Sequence, residues 1–216
     1  MTQVNRPLQP GDPAPDFMLR AIHSDRVVSL DDYRDRSPLF LALFRGLYCP
    51  FCRRAIAHMA ASAEKLKPLG IESLGIVATE LENARMYYSF RPVRLELAVD
   101  PELSTHRSYG LPKPEVTPAF QQAVESARFD GGVLPKPLPM PEATAALDRL
   151  DGYERTATDL RDRERQFPQL EGQFLIDRGG IVRWVNVECA NEGISGLGKF
   201  PSLEELLAAA QVAAAV

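Results

Sequence analysis

The stretch LFLALFRGLYCPFC, at positions 39–52, is the part of the sequence that decides the fold. Its first six residues are all apolar and have the length of a strand, a pattern typical of a strand buried on both faces. Pro50 then stands at a predicted helix start, where its missing N–H needs no partner. Apolar residues at helical spacing continue to Lys67, so the stretch predicts a buried strand that leads directly into a helix.

The same alternation continues beyond this helix. Residues 71–78 form a second apolar run of strand length, and Thr79 and Glu82 match the capping box that starts a helix ending near Phe90. A third short strand is predicted at 94–99. Strands that alternate with helices in this way predict a parallel sheet with right-handed crossovers.

The second half of the chain has a different character. Residues 111–141 contain seven prolines, too many for a continuous helix or a central strand, and 142–166 is predicted to be one charged helix. Residues 173–177 and 181–187 flank a glycine turn, which predicts a β-hairpin, and a last helix follows from Leu203.

These segments predict an α/β fold with a mixed central sheet flanked by helices. The length suits a single domain over residues 1–216. The proline-rich and helical region at about 111–171 is then an insertion before the last hairpin. An insertion of this length would either cover the cysteine site or supply a contact between two copies of the chain.

Composition and charge exclude several classes of function. The net charge of −4 gives no electrostatic footprint for nucleic acid or an anionic membrane, so neither is expected as a partner. The first nine residues contain no apolar segment of a secretory signal, and runs such as 39–44 are too short to span a bilayer. Three cysteines, an odd number, favour a reducing compartment, so we expect a cytoplasmic protein without a disulfide framework.

The most informative chemical feature is the segment CPFC at 49–52, at the junction of strand and helix. The unpaired N–H groups and the positive dipole end of a helix start favour a thiolate, which is the reactive form of cysteine. Arg45, Arg53 and Arg54 would add positive charge in the same direction. Because two residues separate the sulfurs, they can join as a disulfide across the first turn, and the segment predicts redox or nucleophilic chemistry.

Two other interpretations of the cysteine pair remain open: half of a zinc site, or inert buried thiols. A zinc site would call for further ligands at close spacing, whereas His23, His58 and His106 are scattered and Cys189 has no partner. We therefore expect no metal. Cys189 itself is interpreted as a small buried hydrophobe rather than a distant resolving thiol.

Three segments together resemble a known family. PGDPAPDFML at 10–19, RGLYCPFC at 45–52 and the hairpin residues at 174–183 are similar to the opening, the RGxWCPYC segment and the late hairpin of peroxiredoxin-like proteins. These belong to the AhpC/TSA-type branch of the thioredoxin-fold superfamily. The resemblance covers residues 10–110 and 172–212 and leaves the insertion unexplained.

The resemblance implies roles for the residues of this segment. Cys49 would be the nucleophile, and Cys52, one turn inside the helix, would be the resolving thiol. Arg45 would stabilise the thiolate or a bound peroxide, the alternative being a solvated charge at a strand end. Tyr48 would pack over the sulfurs, and Pro50 would start the helix. No metal or organic cofactor is implied.

Some positions depart from the family pattern. Ala42 and Gly46 stand where typical peroxiredoxins have Pro and Thr, and Glu171 stands where they have a second Arg. No cis-proline is predicted near Glu171, where thioredoxins have one. An acid facing Cys49 would raise the pKa of its thiol and oppose the helix start.

The sequence therefore predicts a thiol-dependent oxidoreductase that reduces hydroperoxides through Cys49 and Cys52. One alternative is a thiol–disulfide oxidoreductase without peroxidase activity, and another is a non-catalytic binding protein of the same fold. The expected partners are the hydroperoxide or disulfide substrate and a reductant, either a thioredoxin-like protein or a low-molecular-weight thiol. A homodimer is compatible with the sequence.

Overall fold

The computed structural model describes residues 6–214. It contains a sheet of seven strands, β1–β7, at Met18–Ala21, Val27–Ser29, Leu39–Phe44, Glu72–Val77, Glu96–Val99, Gly172–Ile176 and Val182–Val187. In this part of the chain the α-helices are α1–α7, at Pro50–Leu66, Leu81–Phe90, Ser104–Ser108, Pro118–Ser126, Met140–Asp151, Ala157–Gln166 and Leu203–Ala214.

The sheet is mixed, as predicted, and its strand order is β2-β1-β5-β4-β3-β6-β7. Strands β3, β4 and β5 are parallel, whereas β6 runs antiparallel to both β3 and β7. The predicted single domain over 1–216 stays a prediction, and its two ends lie outside the described residues.

Strand β3 explains why the apolar run at 39–44 shows no alternation. All six of its residues are buried, because β4 and β6 flank the strand and both faces of the sheet are covered. Phe40, Ala42 and Phe44 join the core cluster that includes α1, and the alternate residues join the opposite cluster. The central strand thus carries the chain to Arg45 and the start of α1.

Two predicted details of the helices are wrong. Thr79 does not cap α2, which begins at Leu81 after Glu80; the Thr79 hydroxyl instead donates to Asp162 Oδ2 at 2.6 Å. The predicted continuous helix over 142–166 is two helices, α5 and α6. The chain breaks at Gly152, which has a φ of +56° and ends α5 in a left-handed conformation that glycine adopts readily.

Residues 111–171 contain α4, α5 and α6, and they are attached to the rest of the molecule by buried polar contacts. Asp159 accepts a hydrogen bond from Asn83 of α2 at 3.1 Å, besides one from the Tyr153 hydroxyl, within the insertion, at 2.6 Å. Together with the bond from Thr79 to Asp162, the bond from Asn83 fixes α6 against α2. Among the described residues, no helix has the length and apolar character needed to cross a bilayer.

Candidate active site

The two cysteines of CPFC lie at the start of α1. Cys49 is the residue that caps the helix, and its Sγ accepts a hydrogen bond from the backbone N–H of Cys52 at 3.4 Å. Both thiols are free. Cys49 is 7% exposed and Cys52 is completely buried, so the first sulfur is the one that a substrate can reach.

Arg45, the first residue after β3, is buried beside the thiols. Its two terminal nitrogens donate to both carboxylate oxygens of Glu188, at 2.5 and 3.0 Å, and Nη2 lies 3.7 Å from Cys49 Sγ. Nη1 also donates to the Gln169 carbonyl at 2.9 Å. A fork–fork pair of this kind fixes the guanidinium in place. Arg45 is therefore not a solvated charge at a strand end.

Two buried acids complete the cluster. Glu171 Oε1 accepts from the Arg45 backbone N–H at 3.3 Å and lies 3.6 Å from Arg45 Nη2. The Glu171 N–H donates to Glu188 Oε2 at 3.1 Å, and the Gly198 N–H donates to Glu188 Oε1 at 2.6 Å. Sequence reasoning noted Glu171 only as a departure and missed Glu188. The available signal was an acid directly after the strand predicted at 181–187.

The surroundings of Cys49 favour its thiolate. Burial raises the pKa of the thiol, but hydrogen bonds from the thiol and N–H of Cys52 and the charge of Arg45 more than offset burial. The pKa is lowered to about 6. A nearby acid was expected to raise the pKa of Cys49, and Glu188 does so. Its effect is smaller than the lowering by Cys52 and Arg45.

The pKa values of Cys52 and Glu171 are raised rather than lowered. Burial, the hydrogen bond to Cys49 and the negative charges of Cys49 and Glu171 raise the pKa of Cys52 well above its usual value. Burial raises the pKa of Glu171 to about 8, with Glu188 and Cys49 adding to the rise and Arg45 opposing it. These shifts favour ionisation of Cys49 and oppose ionisation of both Cys52 and Glu171.

The predicted supporting residues take different places. Tyr48 is buried against the pair and its hydroxyl has no hydrogen-bond partner, whereas Pro50 is the first helical residue of α1. Arg53 and Arg54 do not add charge at the sulfurs as predicted. They lie on the side of α1 that faces α5, where Arg53 donates to Asp148 and Asp151, at 2.8 and 2.9 Å, and Arg54 also pairs with Asp151.

A cavity of about 320 Å³ opens onto Cys49. Its walls are mostly apolar and come largely from the insertion: Phe120 and Val124 of α4, Met140, Thr144 and Ala145 of α5, and Phe167. Arg45 and Tyr48 also line it. Of the two roles predicted for the insertion, covering the cysteine site is the one that matches this position.

The expectation that a cis-proline would be missing is wrong. The peptide between Phe167 and Pro168 is cis, and Pro168 lines the same cavity as Cys49. It lies three positions before Glu171. The sequence offered no clear signal, because Pro168 is one of many prolines in and around the insertion.

The other candidate residues lie elsewhere. His58 packs against the Phe200 ring, with 5.3 Å between ring centroids. His106 is buried in α3 and neither ring nitrogen has a hydrogen-bond partner. Cys189, next to Glu188, is half-buried, and burial raises the pKa of its thiol to about 12.

Three ligand atoms of the site, from Cys49, Cys52 and Glu171, lie within 4.8 Å of one another. Within residues 6–214, no fourth histidine, cysteine or carboxylate joins them at this spacing, as a structural zinc site would require. The guanidinium of Arg45 also places a fixed positive charge at the same point. This donor set therefore favours thiol chemistry over metal binding.

Comparison of the sequence with known protein families identifies the family of this chain. The sequence profile of the AhpC/TSA family matches residues 10–185, which is most of the chain. The chain belongs to the AhpC/TSA family. The family resemblance inferred from the sequence is thereby confirmed. No curated protein matches the chain significantly.

Solved structures similar to this AhpC/TSA protein share its thioredoxin-like fold. The 2-Cys peroxiredoxin of Plasmodium vivax, in its reduced form, has a TM-score of 0.59 at 15% identity, covering 95% of this chain and 81% of its own. Peroxidoxin BcpB from Mycobacterium tuberculosis gives 0.57 at 13% identity, with coverage of 97% and 98%. A protein assigned as the thiol:disulfide interchange protein DsbE, from Chlorobium tepidum, gives 0.51 at 20%, with coverage of 94% and 99%.

The lowered pKa of Cys49 predicts how this AhpC/TSA protein responds to an alkylating reagent. The rate of iodoacetamide alkylation should rise with pH through about 6 and level off above about pH 7, because only the thiolate reacts. A free cysteine would continue to gain reactivity through about pH 8.5. Mass spectrometry of the modified peptides assigns the rate to Cys49. A rate for Cys49 that still climbs at pH 9 would contradict the prediction, and Cys189 of the same sample serves as an internal reference.

Proposed function

We propose that this chain is a thiol-dependent oxidoreductase that reduces hydroperoxides through Cys49, with Cys52 as the resolving thiol. The observation that carries the proposal is the position of the Cys49 sulfur: it lies at a helix start, lines a cavity, is 3.7 Å from Arg45 Nη2 and has a second thiol within 4.8 Å. Membership of the AhpC/TSA family supports the broader class, a thiol-based oxidoreductase. The likeness to a peroxiredoxin and a peroxidoxin supports the narrower one.

The chemistry takes two steps. The Cys49 thiolate attacks the terminal oxygen of the hydroperoxide, the O–O bond breaks, and Cys49 becomes a sulfenic acid while the alkoxide takes up a proton and leaves as the alcohol. Cys52 then loses its proton and attacks the Cys49 sulfur. The S–O bond breaks, hydroxide leaves with a proton as water, and a disulfide remains. A thioredoxin-like protein or a low-molecular-weight thiol supplies the two electrons that restore the pair.

Arg45 is the residue placed to assist the first step. Its Nη2 lies 3.7 Å from Cys49 Sγ, and its other contacts hold it in this position before any substrate arrives. A fixed cation beside the sulfur stabilises both the attacking thiolate and the negative charge that develops on the departing oxygen. This role does not need the threonine hydroxyl that Gly46 replaces.

A second function, thiol–disulfide exchange without peroxidase activity, is favoured by one observation. Gly46 and Ala42 stand where the threonine and proline of typical peroxiredoxins would be, while the CPFC spacing allows the pair to bridge within one turn. The structural likeness to the DsbE protein is compatible with this alternative. A non-catalytic binding protein is the third candidate, and the lowered pKa of Cys49 argues against it.

Rapid mixing of the reduced protein with hydrogen peroxide and with an organic hydroperoxide tests the proposal. We expect thiol oxidation at micromolar peroxide, and in the Cys52→Ser variant a sulfenic acid on Cys49 that mass spectrometry detects. Insulin reduction without peroxide sensitivity would instead establish the exchange reaction. Cys189→Ser is the matched control, because it removes a thiol outside the pair.

A further inference from the structure

We propose that Glu171 is a catalytic acid–base residue of this site, which takes the proton from Cys52 so that Cys52 can attack the oxidised Cys49. The inference deepens the proposed function, and its peroxide step rests on that function. Its central step is the proton transfer from Cys52 to Glu171, which applies equally when Cys49 is part of a mixed disulfide.

The position of Glu171 supports this role. The carboxylate is buried at the start of β6, is only 4% exposed, and has an oxygen within 4.8 Å of both sulfurs. Because Cys52 is completely buried, its proton needs an acceptor inside the protein, and a Glu171 oxygen lies within 4.8 Å of its sulfur.

The other buried acid of the cluster is fully occupied. Both oxygens of Glu188 accept from Arg45, Oε1 also accepts from the Gly198 N–H, and Oε2 also accepts from the Glu171 N–H. Each oxygen of Glu188 thus accepts two hydrogen bonds from groups other than the thiols. Glu171 receives one backbone hydrogen bond and a longer contact from Arg45, which leaves it free to exchange a proton.

The charges around Glu171 couple its protonation to the redox state of Cys49. Arg45 faces it from the end of β3, Cys49 and Cys52 face it from α1, and Glu188 faces it from the end of β7. The negative charge of the Cys49 thiolate is one of the causes that raise the pKa of Glu171. When oxidation makes Cys49 neutral, that charge disappears and the carboxyl becomes a stronger acid.

The protons of the cycle balance on this basis. In the reduced state Glu171 holds one proton and Cys52 another. Glu171 releases its proton when Cys49 is oxidised, which supplies the alkoxide. The resulting carboxylate then takes the proton of Cys52, and passes it to the hydroxide that leaves Cys49 as water. The products are alcohol, water, a disulfide and an ionised Glu171, with no proton drawn from solvent.

An aryl disulfide, 2,2′-dithiodipyridine, tests the proton transfer without any peroxide. The Cys49 thiolate attacks the reagent and releases one thiopyridone, and Cys52 then attacks the mixed disulfide and releases the second. The absorbance of thiopyridone follows both releases in a rapid-mixing experiment. Glutamine has the size and neutrality of the protonated acid, so Glu171→Gln leaves the first release within about threefold of the unmodified protein.

The second release is expected to be about a hundredfold slower in Glu171→Gln, within the usual range for the loss of a general base. Glu192→Gln is the matched control, since Glu192 is an exposed acid paired with Lys199, and both of its releases should be unchanged. An unchanged second release in Glu171→Gln would overturn the proposal. If the second release depends on Glu171 in this way while hydroperoxides do not react with the protein, the proposed peroxidase function fails and the role of Glu171 stands.

The pH dependence provides a readout that mere distortion of the site would not change. In the unmodified protein the second release should rise with pH and level off once Glu171 is ionised. In Glu171→Gln it should continue to rise, because only the titration of Cys52 itself then produces the attacking thiolate. If the variant does not fold, the infrared difference between reduced and oxidised unmodified protein decides: loss of a protonated carboxyl band supports the proposal, and no change in that band overturns it.

Discussion

Replacing Arg45 with methionine should lower the free energy of unfolding by about 3–5 kcal/mol, the largest loss of stability that we expect from one substitution in the site. The change leaves the carboxylate of Glu188 buried without its partner, although its two backbone donors remain. Urea denaturation measures the loss. Arg36→Met, at an exposed position, is the matched control and should shift the free energy of unfolding by less than about 0.5 kcal/mol.

The same substitution should remove the electrostatic stabilisation of Cys49. Without the guanidinium the pKa of the thiol rises, because burial and Glu188 then oppose ionisation with less compensation. The pH profile of alkylation would move toward higher pH. Arg45→Lys keeps the charge but loses the bidentate contact with Glu188. Its alkylation profile should therefore lie between those of the unmodified protein and Arg45→Met. A stable Arg45→Met protein with an unchanged alkylation profile would show that Arg45 has neither role.

The largest effect on activity is expected from Cys49→Ser. A serine hydroxyl at this position stays protonated at neutral pH and cannot attack a peroxide oxygen, so hydroperoxide reduction should fall about a thousandfold or more. Steady-state peroxide consumption with a thiol reductant measures the change. Cys52→Ser should still allow one oxidation of Cys49 while losing the internal disulfide.

Cys189→Ser provides the comparison for this experiment. Its thiol is half-buried and its raised pKa leaves it unreactive at neutral pH, so the variant should retain the activity of the unmodified protein. If peroxide reduction survives in Cys49→Ser and disappears in Cys189→Ser, then Cys189 is the nucleophile and the assignment to Cys49 is wrong.

The parts of the fold that could be predicted from the sequence are those with local causes. The apolar run at 39–44 has the signature of a central strand whatever its neighbours are, and the structure confirms that strand. Pro50 marks the helix start through its own geometry, so Cys49 could be placed at the cap. The same local reasoning failed at Thr79, because a buried acid distant in sequence competes for its hydroxyl.

The charge cluster around the thiols could not be predicted in the same way. Glu171 and Glu188 lie 126 and 143 positions after Arg45. They reach it because β6 pairs antiparallel with β3 and then with β7, which brings the start of β6 and the end of β7 next to Arg45. That pairing depends on the whole sheet. The sequence showed the charges of these residues but gave no sign that they would be buried together.

The cavity over Cys49 brings together two separate stretches of the chain. The thiols and Arg45 belong to the β3–α1 junction, whereas α4 and α5 supply most of the apolar wall. A change of side-chain size on α4 or α5 would therefore alter which molecules are admitted and leave the intrinsic reactivity of the sulfur in place. Selectivity and reactivity can diverge independently in a protein built this way, and relatives that keep CPFC but differ in the insertion would act on different substrates.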